Sequence, residues 1–212
     1  MKNKLSFSTG LIASILLAAQ AWALQPAAPT AYLSVDGGYS FTDYFANYPA
    51  NTSPAPSFAP WSLVFGGNVG FLFTPHFGIE AGYLNVGATT ISNIPTQGTQ
   101  TTLLNNTNVY IVALKGILYD DENSMSLFMN AGVARRDISY GATNNYTVTN
   151  PSTITVYAPH FGIGLTQNMS KNWAVSAIAQ ASLGVGNIDN STFTPGRAPP
   201  LYLGTLEITY FI

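Results

Sequence analysis

The feature that most constrains the fold is an alternation of apolar and polar residues that recurs in eight segments. These segments cover residues 31–41, 62–73, 76–86, 107–118, 125–140, 153–166, 172–183 and 201–212. Each is long enough for a tilted β-strand that crosses a bilayer, which takes about 9–11 residues. After residue 23, no apolar run reaches the roughly 18 residues that suggest a transmembrane helix. Because only helices and closed barrels satisfy their backbone polar groups in lipid, a chain of this kind in a membrane must form a closed barrel.

The composition indicates that one face of these strands meets lipid. Only 8% of the residues are charged, whereas soluble domains carry about 25%. One parity of the segments is apolar, and the other is small, rich in Gly and sparsely charged. A lipid-facing Arg or Lys at mid-bilayer would cost about 2–4 kcal/mol, and the apolar parity carries no charge until Arg135, near a strand end. The predicted fold is all-β: an eight-stranded antiparallel up-and-down transmembrane barrel.

The N-terminus predicts export. Lys2 and Lys4 precede a short apolar stretch, residues 11–19, and Ala21 and Ala23 have the small side chains of a signal-peptidase site. We therefore expect a signal peptide at residues 1–23 and a barrel at residues 24–212. The chain has 9 acids, 7 bases and no Cys. It thus has no basic patch for nucleic acid, no disulfide and no cysteine for a lipid anchor.

The connections between segments alternate in length, which predicts an orientation. Residues 42–61, 87–106, 141–152 and 184–200 form long connections, whereas residues 74–75, 119–124 and 167–171 form short ones. Barrels of the bacterial outer membrane have short periplasmic turns and longer extracellular loops. We therefore expect an outer-membrane location, with both termini periplasmic and four long loops extracellular.

Aromatic residues fall near the two ends of the segments, as in the aromatic girdles of membrane barrels. The predicted outer ring contains Tyr39, Phe41, Trp61, Tyr83, Tyr110, Tyr140, Tyr157 and Tyr202, and the predicted inner ring contains Phe71, Phe73, Phe77, Tyr119, Phe128, Trp173 and Tyr210. Pro159 lies inside the sixth segment, where a closed barrel has no free edge to tolerate a missing N–H. We therefore expect a β-bulge at Pro159.

Short motifs in these segments resemble the OmpA-like family of eight-stranded outer-membrane barrels. The Thr74-Pro75 turn and the following Glu80-x-Gly82-Tyr83 are similar to its second hairpin, and residues 113–119, 132–136, 159–164 and 201–204 are similar to later strands. The resemblance implies the barrel domain alone, without a peptidoglycan-binding domain. It also implies contacts with membrane lipid and lipopolysaccharide, and recognition of the C-terminal strand by the barrel-assembly machinery. Gly164 and Ser176 replace an inward acid and an inward Arg of that family, so its charge-pair gate is not expected.

Six polar residues have the parity of the barrel interior and are the candidate site: Asp36, Glu80, Lys115, Arg136, His160 and Glu207. Glu80 and Lys115 lie four residues from neighbouring short turns, so we expect them to pair. Such a pair is either an internal brace or a plug that opens to ions. Asp36 and Glu207 lie on the first and last strands and need a cation or a shared proton, for which Arg136 and His160 are the candidates. We expect a single salt-bridged network.

Function is predicted to be structural rather than enzymatic, because no His lies in a spacing that suggests a nucleophile and its base. No metal or cofactor site is expected. The first hypothesis is a surface barrel with a polar, side-chain-filled lumen that at most leaks small ions through a very small pore. The alternative is a channel or carrier for small hydrophobic solutes, like barrels that resemble OmpW. Arg135 either contacts a lipopolysaccharide phosphate or is displaced by a bulge, and the ligand of the loops is not identified.

Overall fold

The computed structural model describes residues 29–43, 57–96, 99–120, 125–144, 147–184, 187–188 and 196–212. The predicted signal peptide lies outside these ranges. Within them, eight long strands follow one another: β1 Thr30–Thr42, β2 Trp61–Thr74, β3 Phe77–Thr96, β4 Thr99–Asp120, β5 Met125–Asn144, β6 Thr147–Asn168, β7 Trp173–Ser182 and β8 Leu201–Phe211. The short strands Ser57–Ala59, Asn187–Ile188 and Gly196–Arg197 accompany them. In this part of the chain, no helix has the length and hydrophobicity needed to span a bilayer.

The eight long strands close into an antiparallel barrel, as the sequence predicts. Each strand pairs with its neighbours in the chain, and β1 closes the sheet against β8. In the closing pair Asp36 lies directly opposite Glu207. Closure leaves the membrane-crossing part of the sheet without a free edge, which is the condition for a sheet to lie in lipid.

Two-residue turn geometry defines one end of the barrel. Pro75 and His76 join β2 to β3, and the His76 amide donates a hydrogen bond to Thr74 Oγ1 at 3.3 Å. We call this the turn end. β1 begins and β8 finishes at the same end, since Thr30 pairs with Leu72 and the Ile212 amide bonds the Ala31 carbonyl. The opposite end is called the loop end.

The barrel wall is much taller on one side than on the other. The adjacent strands β3–β6 are 20–22 residues long, whereas β1, β2, β7 and β8 have 10–14 residues. The predicted loops at residues 87–106 and 141–152 are therefore mostly strand, and that expectation was wrong. Their residues alternate poorly in hydrophobicity, but the Thr, Val and Ile they contain favour extended backbone. The extensions continue the sheet beyond the loop end of the shorter strands.

The two faces of the strands have the predicted parity. In β8 buried and exposed residues alternate without exception, and outward Leu206 and Ile208 are exposed while inward Thr205 and Glu207 are buried. Phe128 departs from the prediction: it is 1% exposed and belongs to the lumen rather than to the inner aromatic ring. Its neighbours Leu127 and Met129 carry the outward parity, so alternation decides its direction. The side chains of Tyr119 and Tyr140, also predicted in the rings, lie outside the described residues.

Pro159 is accommodated without the predicted bulge. β6 keeps an unbroken register with β5 through Pro159 and Val133. Its pairing with β7 begins only at His160 opposite Ser182, and the Leu183 amide bonds the Pro159 carbonyl. Pro159 therefore lies at the end of the shared ladder, above which no described strand pairs with that side of β6. The missing N–H is tolerated because this part of β6 is an edge.

Candidate functional site: the barrel lumen

The inward side chains form a polar layer between two apolar layers. The loop-side apolar layer contains Val64, Leu84, Val86, Val109, Ile111, Ala113, Ala134, Leu201 and Leu203. The turn-side apolar layer contains Tyr32, Leu72, Ala174 and Phe211. Along β2, the inward residues run from Leu72 through half-buried Asn68 to Val64, which shows the order within one strand. On the loop side of the polar layer, Ser40, Arg136 and His160 are buried as well, so both polar and apolar side chains pack into the lumen there.

Glu80 is the centre of one half of the polar layer. Its Oε2 lies 3.6 Å from Lys115 Nζ and accepts a 2.9 Å hydrogen bond from the Tyr32 hydroxyl. Its Oε1 accepts a 2.8 Å bond from Asn130 Nδ2. The structure thus brings together the two residues that their distance from the turns led us to pair. Three donors hold the carboxylate in place, which is what a buried charge requires.

Lys115 is held between two aromatic rings as well as by Glu80. Its Nζ lies 4.2 Å from the ring centroid of Phe128 and 4.9 Å from that of Tyr32. A desolvated cation over an aromatic face gains about 2 kcal/mol. The rings therefore compensate part of the cost of burying the ammonium group, which an ion pair alone does not always offset.

Asp36 and Glu207 share a donor that the sequence analysis did not assign to them. Asn68 Nδ2 lies 2.6 Å from Asp36 Oδ2 and 3.1 Å from Glu207 Oε2. Glu207 also accepts bonds from Ser34 Oγ at 2.9 Å and from Thr209 Oγ1 at 3.0 Å. An amide and two hydroxyls thus bind the two acids, and the acids are opposite each other on β1 and β8 as predicted.

Arg136 and His160 do not take the predicted role of partners for these acids. Arg136 Nη1 donates a 2.7 Å bond to the carbonyl of Pro199, and the residue is 1% exposed. His160 is fully buried opposite Gly132 and Ser182. On β5, Arg136 lies six residues further from the turn end than Asn130, so the strand itself carries it past Asp36 and Glu207. In the described residues, the ion pair of the lumen is the one between Glu80 and Lys115.

Glycines on neighbouring strands make room for the large inward groups. Tyr32 lies opposite Gly70, Asn68 opposite Gly82, Asn130 opposite Gly162, and Phe128 opposite Gly164. In each pair a Cβ on the glycine would overlap the opposite side chain. The absence of a side chain on one strand thus allows the facing side chain to lie across it. This pairing is the signal by which the sequence could have indicated the roles of Tyr32, Asn68, Asn130 and Phe128.

A small cavity lies between the polar layer and the turn end. Its volume is about 40 Å³, and its lining includes Lys115, Tyr32, Phe128, Thr209 and Phe211. A water molecule needs about 10–15 Å³ of such space, so a few waters fit. The cavity ends at the polar layer. Among the described residues, no group of three or more His, Cys, Asp or Glu side chains is arranged to hold a metal ion.

Arg135 lies on the outside of the barrel, where its side chain is about half exposed. The register of β5 with both neighbours is continuous there, from Tyr110 through Arg135 to Tyr157, so no bulge displaces it. Its Nε and Nη2 donate to Asp137 at 3.1 and 3.0 Å. The guanidinium group is therefore already paired with a carboxylate.

Comparison with known proteins gives a consistent picture of the fold. A family described as outer membrane protein β-barrel domain matches residues 9–196. No protein with curated annotation matches the sequence. Among solved structures, Ail, the attachment invasion locus protein of Yersinia pestis, is similar with a TM-score of 0.54 and 10% identity, over 87% of this chain and 99% of that one.

Two further solved barrels are similar over nearly their full length. OprG, an outer membrane protein of Pseudomonas aeruginosa, has a TM-score of 0.54 and 9% identity, over 88% of this chain and 98% of that one. Neisserial surface protein A has a TM-score of 0.50 and 10% identity, over 85% of this chain and 96% of that one. At such low identities these similarities concern the fold.

Proposed function

Because the chain belongs to the family of proteins with an outer membrane protein β-barrel domain, we propose that it is a structural surface barrel of the bacterial outer membrane whose lumen does not conduct ions. The lumen braces the barrel wall, and the long loops face the exterior. This function follows from the packing of the interior, since the charged residues there bond to one another and to fixed polar groups.

The order of layers in the lumen carries the proposal. An ion that entered from the loop end would meet the loop-side apolar layer, in which Val109 and Leu201 are completely buried. A hydrophobic constriction blocks ions by excluding the water that hydrates them. From the turn end, the small cavity lined by Tyr32 and Phe211, whose rings lie 5.9 Å apart, already reaches Lys115. Removal of the polar pair alone therefore leaves the loop-side barrier in place.

The orientation is part of the proposal. Both chain ends of the barrel lie at the turn end, and short turns are periplasmic in outer-membrane barrels. The long loops would then be extracellular. The last strand ends at Phe211, which lies in the lumen, and Tyr210 before it and Ile212 after it are exposed on the outside. We propose that the barrel-assembly machinery recognises this strand.

Conductance of the refolded protein in planar bilayers tests the sealed lumen. We expect no steady channels from the wild type or from Lys115→Ala. A double variant with Leu84→Ser and Leu203→Ser should produce small channels, because the two hydroxyls let water enter the loop-side apolar layer. Leu206→Ser, on the outside of the barrel, is the matched control and should produce no channels. Steady channels in the wild type would contradict the sealed lumen, and steady channels in Lys115→Ala alone would show that the polar pair is a plug.

A carrier for small hydrophobic solutes is the second candidate, and one observation favours it. A depression of about 400 Å³ opens on the outer face of β1–β3, between Leu33, Val69 and Tyr83. Its lining also includes Gly67, and it reaches Ser34 of the polar layer. The wall is thin here, so this is the place where a solute could leave sideways into lipid.

Uptake of a hydrophobic fluorescent dye into liposomes that contain the refolded barrel tests the carrier. If the lumen is sealed, liposomes that contain the barrel should take up the dye at the same rate as liposomes without protein. Faster uptake that Ala81→Leu abolishes, by filling the depression that Ala81 lines, would support the carrier. Val112→Leu, at an exposed outward position on β4, is the control and should leave the uptake rate unchanged.

A further inference from the structure

The outward face of the tall wall carries rows of residues whose chemistry changes step by step toward the loop end. Direct cross-strand neighbours define each row across β3, β4, β5 and β6. The first row is Ala81, Val112, Val133 and Pro159; the second is Tyr83, Tyr110, Arg135 and Tyr157; the third is Asn85, Asn108, Asp137 and Thr155. We call the second and third rows together the polar band. The sequence of apolar, aromatic and polar rows matches the change from acyl chains to head groups across a membrane interface.

Bonds within the polar band fix it as a rigid surface. The Tyr83 hydroxyl and Asn85 Nδ2 both donate to Asn108 Oδ1, at 2.9 and 2.8 Å. Arg135 binds Asp137 through two bonds, and Thr155 Oγ1 donates to Asp137 Oδ1 at 2.7 Å. The bonds to Asn108 join β3 to β4, the Thr155 bond joins β6 to β5, and the Arg135 bonds lie within β5. The side chains are therefore already ordered before any partner binds, which lowers the entropic cost of binding.

The polar band presents donors, while three of its acceptor oxygens are already used internally. Asn108 Oδ1 accepts two bonds, and both oxygens of Asp137 accept bonds. Among the described residues, no acceptor binds Asn108 Nδ2 or Arg135 Nη1. The charge of Arg135 is compensated by Asp137 at 3.0 Å. Such a surface suits a partner rich in hydroxyl and ester oxygens, whereas a simple anion would find little net positive charge.

We propose that the polar band binds the saccharide head of the lipopolysaccharide in which the barrel is embedded. The band is continuous with the apolar first row, so one amphiphile can place acyl chains against Val112 and Val133 and sugars against the second and third rows. Arg135 is flanked by the rings of Tyr110 and Tyr157, with its guanidinium carbon 5.6 Å from the Tyr110 centroid. The side of the barrel with the shorter strands also has aromatic residues, such as Tyr202. Its strands end at that height, so they add no further row beyond the aromatic one. This proposal rests on the outward orientation of the loop end.

Binding of rough lipopolysaccharide by the refolded protein in detergent micelles tests the proposal. Asn108→Ala and Arg135→Ala each remove a donor of the polar band, and each is expected to weaken binding by about tenfold, the effect of losing about 1.4 kcal/mol. Tyr202→Ala, on the side of the barrel with the shorter strands, is the matched control and should change nothing. Phosphatidylglycerol, an anionic lipid without a large sugar head, should bind equally weakly to the wild type, Asn108→Ala and Tyr202→Ala, and more weakly still to Arg135→Ala, in which Asp137 has lost its cation.

Asp137→Ala separates sugar recognition from charge attraction. It leaves Arg135 without its carboxylate, so phosphatidylglycerol binding should rise while lipopolysaccharide binding falls. Equal binding of the two lipids to the wild type would overturn the proposal, as would equal losses in Tyr202→Ala and Asn108→Ala. The lumen plays no part in this assay, so a conducting barrel that still binds lipopolysaccharide selectively would contradict only the sealed lumen. Cell-surface labelling of Ser139→Cys tests the orientation separately.

Discussion

Individual glycines decide where the large groups of the lumen can lie. A Cβ on Gly70 would overlap the Tyr32 ring, whereas a Cβ on Gly37 would meet no atom within 4 Å. Gly70→Ala should therefore displace Tyr32 from Glu80 and lower the free energy of unfolding by about 1–3 kcal/mol, the usual cost of overpacking. Gly37→Ala, which points into the lipid region, should leave it unchanged. Urea unfolding of the refolded protein in lipid vesicles measures both, and equal effects of the two substitutions would contradict the packing role of Gly70.

The ion pair between Glu80 and Lys115 predicts a distinctive double-variant result. Lys115→Met leaves a buried carboxylate without its cation and should lower the free energy of unfolding by about 3–5 kcal/mol. Adding Glu80→Gln removes that charge, so the double variant should be more stable than Lys115→Met alone. Lys171→Met, on an exposed turn, is the control and should have no measurable effect. A double variant that is less stable than Lys115→Met would mean that the pair does not compensate charge.

The sequence predicted the neighbours of Glu80 better than those of Asp36. Counting from the short turns aligns Glu80 with Lys115 on adjacent strands, because both turns lie at the same end. The donor that Asp36 and Glu207 share is Asn68. Its position depends on the stagger between β8, β1 and β2 and on the space that Gly82 leaves, and counting residues from one turn reveals neither. Phe128 was misplaced because its position near a strand end was given more weight than its parity.

At the scale of single strands, Pro159 gives a direct test of where the shared ladder ends. Its carbonyl faces Leu183, and β7 pairs with β6 only from His160 onward. Pro159→Ala should change the free energy of unfolding by less than about 0.5 kcal/mol, the usual range for exposed positions. Ile163→Pro, at a position paired on both sides with Met129 and Ala179, should cost clearly more, because proline removes a ladder hydrogen bond in the middle of a sheet. Similar losses from both would place Pro159 inside the ladder.

The strand ends were the least predictable elements. The alternation of apolar residues ends near Val86 on β3 and Thr107 on β4, where we expect the wall to leave the lipid. The strands themselves extend further, since β3 ends at Thr96 and β4 begins at Thr99. Outside lipid neither face has to be apolar, so periodicity no longer reports the strand. Only the β-branched residues, such as Thr89 and Thr90, remain as a signal there.

At the scale of the whole molecule, the closed barrel separates two environments, because the direction in which a side chain points from the sheet decides which of them it meets. Outward residues meet lipid, and inward residues meet other side chains in three layers. The architecture was predictable because a barrel in lipid has a strict period of two. The layering of the lumen was less so: parity points Val64 and Leu84 inward, but only the register of the strands gathers them with Leu203 into an apolar layer at the loop end.

The central claim, a lipid-facing exterior around a sealed interior, is tested most directly by a spin-label scan of β8 in bilayers. The chain has no Cys, so single cysteines can be placed at residues 202–209, with heat-modifiable gel mobility as the check on folding. Labels at the outward positions 202, 204, 206 and 208 should be accessible to oxygen dissolved in lipid, and labels at the inward positions 203, 205, 207 and 209 should be immobile and shielded from both oxygen and a water-soluble nickel chelate. Inward labels that the nickel chelate reaches as readily as it reaches an exposed loop would show a water-filled lumen and contradict the account.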